Sequence, residues 1–332
     1  MLGRFDGGVF AIQLNKLIKI QLAAGAPVDS PKIVSVNSNR YFYSLAMPIT
    51  RIANAWDLDV YAVEQRNYGM VDRRAIGAEA RYVRPGHSVY GAVDYDIFFN
   101  DLNFAVLNGS LTYGKGGVVS LGLDYRRAPL LFTNDAIIGQ QVTTLSQLRG
   151  FYTDAELKQM ALDRTANATT LNLAVSHPLN PRFTLNSDLS LSHMGGMPAS
   201  GGVPVTPGTG LDAYYSLQLV ETHILKEGDS GIVGVRYAYT TTSDRYFVDL
   251  NVRYPWSKDF RINPSISFGY RANRTMPGQE YSVQSVLRTS YTALAHIVIE
   301  PEIGADWLQD NSPGVHNLTV GYHAYFGIRK DF

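Results

Sequence analysis

The sequence predicts an all-β fold: a transmembrane, antiparallel up-and-down β-barrel of about 16–18 strands with one long, helix-bearing loop. Three observations predict it. Apolar side chains recur at every second position over runs of about 10–14 residues, whereas strands of soluble sheets are mostly about 5–6. Aromatic residues close many of these apolar faces, and the chain carries 21 tyrosines and 14 phenylalanines in 332 residues, as the interface girdles of membrane barrels do. No stretch reaches the roughly 18 consecutive apolar residues of a membrane helix, so any crossing must be made by strands.

Composition removes several function classes. Lysine plus arginine (29) equals aspartate plus glutamate (29). A nucleic-acid binder would show a basic excess. There is no cysteine, so disulfides, thiolate metal sites and cysteine nucleophiles are absent, which suits a chain that crosses an oxidising periplasm. The expected location is therefore the bacterial outer membrane. Met1-Leu2-Gly3-Arg4-Phe5-Asp6 shows no apolar signal region. The expectation is a processed chain, or the C-terminal part of a longer protein with an upstream periplasmic domain. Residues 1–332 read as one barrel domain.

Seventeen alternating segments are expected, near 4–13, 16–27, 39–50, 56–68, 73–84, 87–99, 102–114, 117–128, 168–179, 183–195, 212–225, 230–242, 245–256, 260–273, 279–292, 295–308 and 316–332. Since bacterial single-chain barrels have even strand numbers, this count means sixteen with one segment misassigned, or eighteen with one upstream. In 73–84, Ile76, Ala78, Ala80 and Tyr82 alternate with Gly77, Glu79 and Arg81. In 117–128, Val119, Leu121, Leu123 and Tyr125 alternate with Ser120, Gly122, Asp124 and Arg126. Tyr246, Val248, Leu250 and Tyr254 alternate with Asp249 and Arg253, and Phe260 to Tyr270 with Arg261 to Arg271. Ile297 to Trp307 alternate with Glu300, Glu302 and Asp306. The last segment places Leu318, Val320, Tyr322, Phe326 and Ile328 opposite His323 and Arg329. Side chains of a strand point alternately to its two faces, so one face meets lipid and the other water. The water-side set is completed by Asp94, Asp96, Asp188, Arg236 and Arg288. These charges are the candidate pore-lining residues; as salt bridges they also stiffen the wall. Their near balance predicts weak ion selectivity. The terminal Phe332 is the candidate membrane-insertion signal read by the barrel-assembly machinery.

One class of connections is short and the other holds every long one, near 28–38, 129–167, 196–211, 274–278 and 309–315. Short periplasmic turns and long outer loops are the barrel rule. Alternation stops across 128–168. There Thr153 and Glu156 form a capping box, opening a helix expected over 154–165 with an Asp154–Lys158 pair; a turn near 144–148 is also expected to be helical. A loop this long is usually functional or disordered. It is expected to fold into or over the lumen as a plug or gate carrying Thr153, Glu156, Lys158, Asp163 and Arg164. The segment 196–211 is rich in glycine and proline, carries no charge, and is expected to be a floppy surface loop.

Enzyme chemistry is poorly supported. The seven histidines show no metal-binding spacing, and no nucleophile-elbow or phosphate-cradling motif occurs. Asp94 with Asp96, two apart on one face, reads as a pair of salt-bridge partners. No enzyme activity, metal or cofactor is expected.

The segments Val71-Asp72-Arg73-Arg74-Ala75-Ile76-Gly77-Ala78-Glu79, Asp124-Tyr125-Arg126-Arg127-Ala128-Pro129, Pro198-Ala199-Ser200-Gly201-Gly202-Val203-Pro204 and Arg253-Tyr254-Pro255 with Arg261-Ile262-Asn263-Pro264 resemble the C-terminal barrels of tetratricopeptide-repeat exopolysaccharide-secretion porins. The resemblance implies an outer-membrane channel that exports a polysaccharide, fed by a periplasmic helical scaffold, although this chain shows no such repeats. The alternatives are a stand-alone diffusion porin for small hydrophilic solutes, an enzyme tested by replacing Asp94 and Asp96, and a structural anchor for a periplasmic partner. Expected partners are outer-membrane lipid, lipopolysaccharide, the assembly machinery, a polysaccharide and a periplasmic scaffold, and no nucleic acid.

Overall fold

The structure, a computed structural model, describes residues 4–28, 37–223, 225–275, 277–294 and 296–330. Phe332 and most of the expected 28–38 loop lie outside the described residues.

Every expected segment is a strand. In chain order these are β1 (Phe5–Gln13), β2 (Lys19–Pro27), β3 (Arg40–Ile52), β4 (Trp56–Asn67), β5 (Met70–Arg84), β6 (His87–Asp96), β7 (Asp101–Tyr113), β8 (Gly117–Ala128), β9 (Ala166–Pro178), β10 (Phe183–Met194), β11 (Gly210–Thr222), β12 (Ser230–Tyr239), β13 (Ser243–Pro255), β14 (Phe260–Asn273), β15 (Gln279–Leu294), β16 (Ile297–Ser312) and β17 (Val315–Lys330). The architecture is all-β, antiparallel and up-and-down. The helical residues fall in the long connection after β8: a 3₁₀ turn (Thr133–Ile137), α1 (Leu145–Leu148) and α2 (Asp154–Asp163).

The chain groups into two compact units, the first comprising 1–111, 121–171 and 192–210, the second 112–120, 172–191 and 211–332. In the first, β1 to β7 pair consecutively, Phe42 with Gln65, Tyr61 with Gly77 and Gly77 with Asp94. In the second, β11 to β17 do the same, Asp249 opposite Ser267 and Arg288 opposite Glu302.

The apolar face is exposed in both units. Ile76 and Val93 of the first, and Val233, Val248, Phe268 and Ile303 of the second, lie in the open. A water-soluble sheet of this extent would bury such a face. In the second unit the face is bordered by rings. Tyr237, Tyr246, Tyr270 and Tyr281 follow one another across β12–β15 with centroids 4.8, 6.1 and 5.2 Å apart. Toward the other end, Phe260 meets Tyr291 at 6.5 Å. Tyr270 and Phe260, like Tyr281 and Tyr291, are ten positions apart along their strands. At about 3.3 Å per residue and a tilt near 40°, that separation projects to about 25 Å, the height of the apolar band of an outer-membrane barrel. Antiparallel strands with this band are the form that crosses the bacterial outer membrane, where every backbone polar group must find a partner within the sheet.

Two sequence expectations are corrected. Residues 309–315 are not a loop: β16 and β17 stay paired as far as Ser312 and Val315, joined by Pro313 and Gly314 with Gly314 at φ +77°, a turn that proline and glycine make without strain. The helix expected to reach residue 165 stops at Asp163, and Thr165 turns its hydroxyl onto the Leu162 carbonyl at 3.0 Å.

Candidate functional site

The polar face of the first unit is sealed at one end. Asp94 is fully buried. Its carboxylate accepts from the Tyr61 hydroxyl at 2.7 Å, from Arg73 at 2.5 Å and from Asn103 at 2.9 Å. Asp96, also fully buried, accepts the backbone N–H groups of Phe98, Phe99 and Arg74 at 2.8, 2.9 and 3.2 Å. Both aspartates sit on the face the alternation assigns, but neither lines open space. Asp94 is enclosed by its partners, and Asp96 ties the β6–β7 turn.

Two β-bulges bring in residues that strict alternation misses. Gln65 pairs with Arg73 while the next residue, Arg66, pairs with Val71, so Asp72 is the extra residue. The other bulge, between Asp94 and Tyr95, inserts Asn103. An extra residue re-aims a side chain. Asp72 accepts from Gln65 at 2.7 Å, from Arg40 at 3.4 Å and from the Asn134 backbone at 2.8 Å. Asn103 accepts the Leu131 N–H at 3.1 Å. Thr133 donates to the Val71 carbonyl at 2.7 Å, and Arg73 lies over the Phe132 ring at 5.6 Å. The start of the long connection is thus fastened onto buried polar groups at the β4–β7 end. Its apolar core joins Leu131, Leu145, Leu157 and Met160 to Met70 and Phe99 of the strand turns.

The expected loop residues hold this insertion together. Thr153 accepts from the Glu156 N–H at 3.3 Å, and the Glu156 carboxylate accepts from the Thr153 N–H at 2.7 Å and from its hydroxyl at 2.8 Å; the two bonds to the carboxylate keep it below the ordinary carboxylate range. Asp154 pairs with Arg149 at 3.0 Å rather than with Lys158, because Lys158 instead lies over the Phe98 ring at 4.7 Å. Asp163 accepts from Gln159 at 2.9 Å. Arg164 is 3 % exposed and donates to the carbonyls of Pro198 and Ser200 at 2.8 and 3.3 Å. Those carbonyls belong to the glycine-rich segment, which is therefore docked and not floppy: Met197 bridges to Thr206, and Gln140 donates to the Gly201 carbonyl at 2.8 Å. Gly201 has φ +56°, and a β-carbon there would stand 2.4 Å from the Met160 methyl. A side chain there would be strained by the backbone and would push the Met160 side chain aside.

Elsewhere in the first unit, Glu79 lies opposite Asp59 and Ala92, 3.4 Å from the Tyr90 hydroxyl, and lines a cavity of about 180 Å³ with Asp59, Tyr61 and Val63. Arg81 is exposed opposite Asp57 and Tyr90. Asp124 accepts from Arg126 at 2.7 Å.

In the second unit the polar face stays open. Arg236 donates to Asp249 at 2.6 and 2.8 Å as a fork, and Ser267 adds a bond at 2.7 Å. Arg271 stands 3.8 Å from Glu280. Arg288 donates to Glu302 at 2.6 Å. His323 lies 3.6 Å from Glu302 and 3.8 Å from Asp306. Arg329 reaches Glu300 at 3.5 Å. Asp188 is exposed on β10. Arg253 and Arg261 make no ion pair among the described residues and line a polar cavity of about 630 Å³ with Arg288, Glu300 and Arg329. Sequence reasoning placed these arginines and Asn263 on this face but missed Lys258, Ser290 and Thr292 beside them; the alternation of β15 was the available signal for Ser290 and Thr292. Among the described residues no group of three or more His, Asp or Glu side chains is arranged to hold a metal ion.

No known family profile and no curated protein sequence matches the chain. Among solved structures, the chain is similar to a bacterial polysaccharide outer membrane secretin (9 % identity, 96 % of this chain and 100 % of that one, TM-score 0.36). It is also similar to the trimer form of OmpT, an outer membrane protein of Vibrio cholerae (9 % identity, 97 % and 98 %, TM-score 0.40). A third, outer-membrane expressed OmpT of Vibrio cholerae, shares 12 % identity over 83 % and 97 % with TM-score 0.36.

Proposed function

We propose that the chain forms a channel across the bacterial outer membrane, and that its cargo is a polysaccharide or similar polymer moving outward. The observation that carries the channel reading is the two-sidedness of the second unit. One face is apolar, exposed and bordered by aromatic rings; the other bears arginine–carboxylate forks that stay accessible. Beyond stiffening the wall, such a polar face suits a water-filled path within the membrane. The polymer reading is supported by the long insertion, which is anchored by buried polar groups and an apolar core, as a gate requires, and by the sequence segments similar to exopolysaccharide-secretion barrels.

A stand-alone diffusion porin is the second reading. The fastening of residues 131–135 onto Asp72, Asn103 and Val71 favours it, since a fixed constricting loop also suits a sieve. Liposome swelling separates the two. A diffusion porin admits arabinose and stachyose as the wild-type protein. A gated exporter admits them only after residues 129–165 are replaced by a short linker, and its single-channel conductance then rises several-fold. Absence of conductance in both forms overturns the channel reading, and equal conductance overturns the role given to the insertion.

A further inference from the structure

We propose that the cavity floored by Arg253 and Arg261 is a binding site for a carboxylated saccharide; its place on a transport path rests on the channel reading, but the binding itself does not. At about 630 Å³ it falls within the range of small-ligand sites, about 300–1,000 Å³. The strand register builds it. Pro255 lies opposite Arg261, Arg261 opposite Ser290, Asn263 opposite Arg288, and Val298 opposite Arg329. Period-two spacing therefore gathers four guanidinium groups from four strands on one face.

The charge here is uneven. With Lys258 the lining holds five cationic side chains, against the carboxylates of Asp259 and Glu300. Glu302, just outside, is engaged by Arg288. Two positive charges remain without a counter-charge among the described residues. Like charges crowded on one face of a sheet destabilise it, and elsewhere on this face Arg236 and Arg271 each meet a carboxylate. At Arg253 and Arg261 the neighbours are instead the amide of Asn263 and the hydroxyls of Ser290 and Thr292. Paired guanidinium forks match carboxylates in the bidentate manner. Amide and hydroxyl groups beside them match sugar hydroxyls. A uronic-acid unit carries both kinds of group.

The test is titration calorimetry on the full chain in detergent with trigalacturonate, maltotriose and inorganic phosphate. Trigalacturonate is expected to bind at least ten-fold more tightly than either of the others, and to weaken as potassium chloride rises from 50 to 500 mM. The double variant Arg253→Gln with Arg261→Gln should lose at least ten-fold for trigalacturonate. The double lysine variant, which keeps charge and removes the fork, should lose an intermediate amount and shows that the first loss is not one of folding. Lys115→Gln, an exposed turn residue far along the chain from the cavity, should bind as the wild type. Equal binding of maltotriose, phosphate binding as tight as that of the trisaccharide, or an unaffected glutamine variant each overturns the assignment. Conductance without this binding removes the site alone; binding without conductance removes the channel reading and leaves the site.

Discussion

The sealed β4–β7 end of the first unit and the polar face of the second apply one rule, a charged face opposite an apolar one, and reach opposite results. In the first, Asp72, Asp94 and Asp96 are 0 % exposed and locked by tyrosine, asparagine, arginine and backbone donors. In the second, the Arg236 and Arg288 side chains keep 48 % and 60 % of their exposure although each has a carboxylate partner. Alternation determines which way a side chain points. What covers the face determines whether the charge is dry or wet, and a charge pair has very different energetics in those two settings.

The comparison is tested most severely at Asp94. Replacing Asp94 with alanine strands Arg73, Tyr61 and Asn103 around a buried position. Breaking a buried pair costs about 3–5 kcal/mol because the remaining charge is uncompensated. The urea midpoint of the protein in lipid vesicles should fall accordingly. Asp94→Asn, which keeps an acceptor, should fall less. A midpoint unchanged in the alanine variant would mean that water reaches this cluster.

Next in size is Arg164→Ala. The guanidinium is buried and its two carbonyl acceptors belong to the glycine-rich segment. Hydrogen bonds from a charged donor contribute about 1.5–3 kcal/mol, so the local opening of residues 195–209 should become favourable by about 2 kcal/mol. Faster thermolysin cleavage there, with an unchanged global midpoint, is the expected result.

These two sites show what the sequence made legible. The period-two pattern located all seventeen strands and the side of the sheet on which Asp94 and Arg236 lie, because side-chain direction follows from backbone geometry alone. The Thr153–Glu156 capping box located α2, because the signal is local. Burial was not legible. It arises from contacts far apart in sequence, such as Asn134 with Asp72 and Arg164 with Ser200. Asp72 and Asn103 were missed because each sits at a bulge, where one extra residue breaks the period that identified everything else. The Pro313–Gly314 turn was misread as a longer loop because Asn311 and Ser312, turn-forming by type, are held in the ladder opposite His316 and Val315.

The insertion should also respond to pH. Burial pushes the Asp135 carboxyl up to about 7, against the Phe132 N–H bond that lowers it and with Asp72 adding to the rise. The folded form therefore keeps its proton up to about pH 7, whereas the unfolded segment releases it in the ordinary carboxylate range. Between those values the docked segment binds more protons, so its stability falls as pH rises and levels off above about 7. Hydrogen exchange at residues 133–137, corrected for intrinsic rate, should quicken from pH 5 to pH 7. In Asp135→Asn, which still accepts from Phe132, that trend should vanish.

The smallest effect is expected at Asp249, and it sharpens the comparison from the other side. Asp249→Asn removes the charge partner of Arg236 but leaves an acceptor for Ser267. Both side chains of the pair remain partly exposed, 48 % and 28 %, so water and salt take over the stranded charge. Exposed pairs contribute about 0–1 kcal/mol, and the midpoint should shift by no more than that, with the shift shrinking further in 0.5 M salt. A loss as large as that at Asp94 would show that the second unit's face is as dry as the first unit's sealed end. The contrast in exposure would then no longer explain why one set of charges is dry and the other wet.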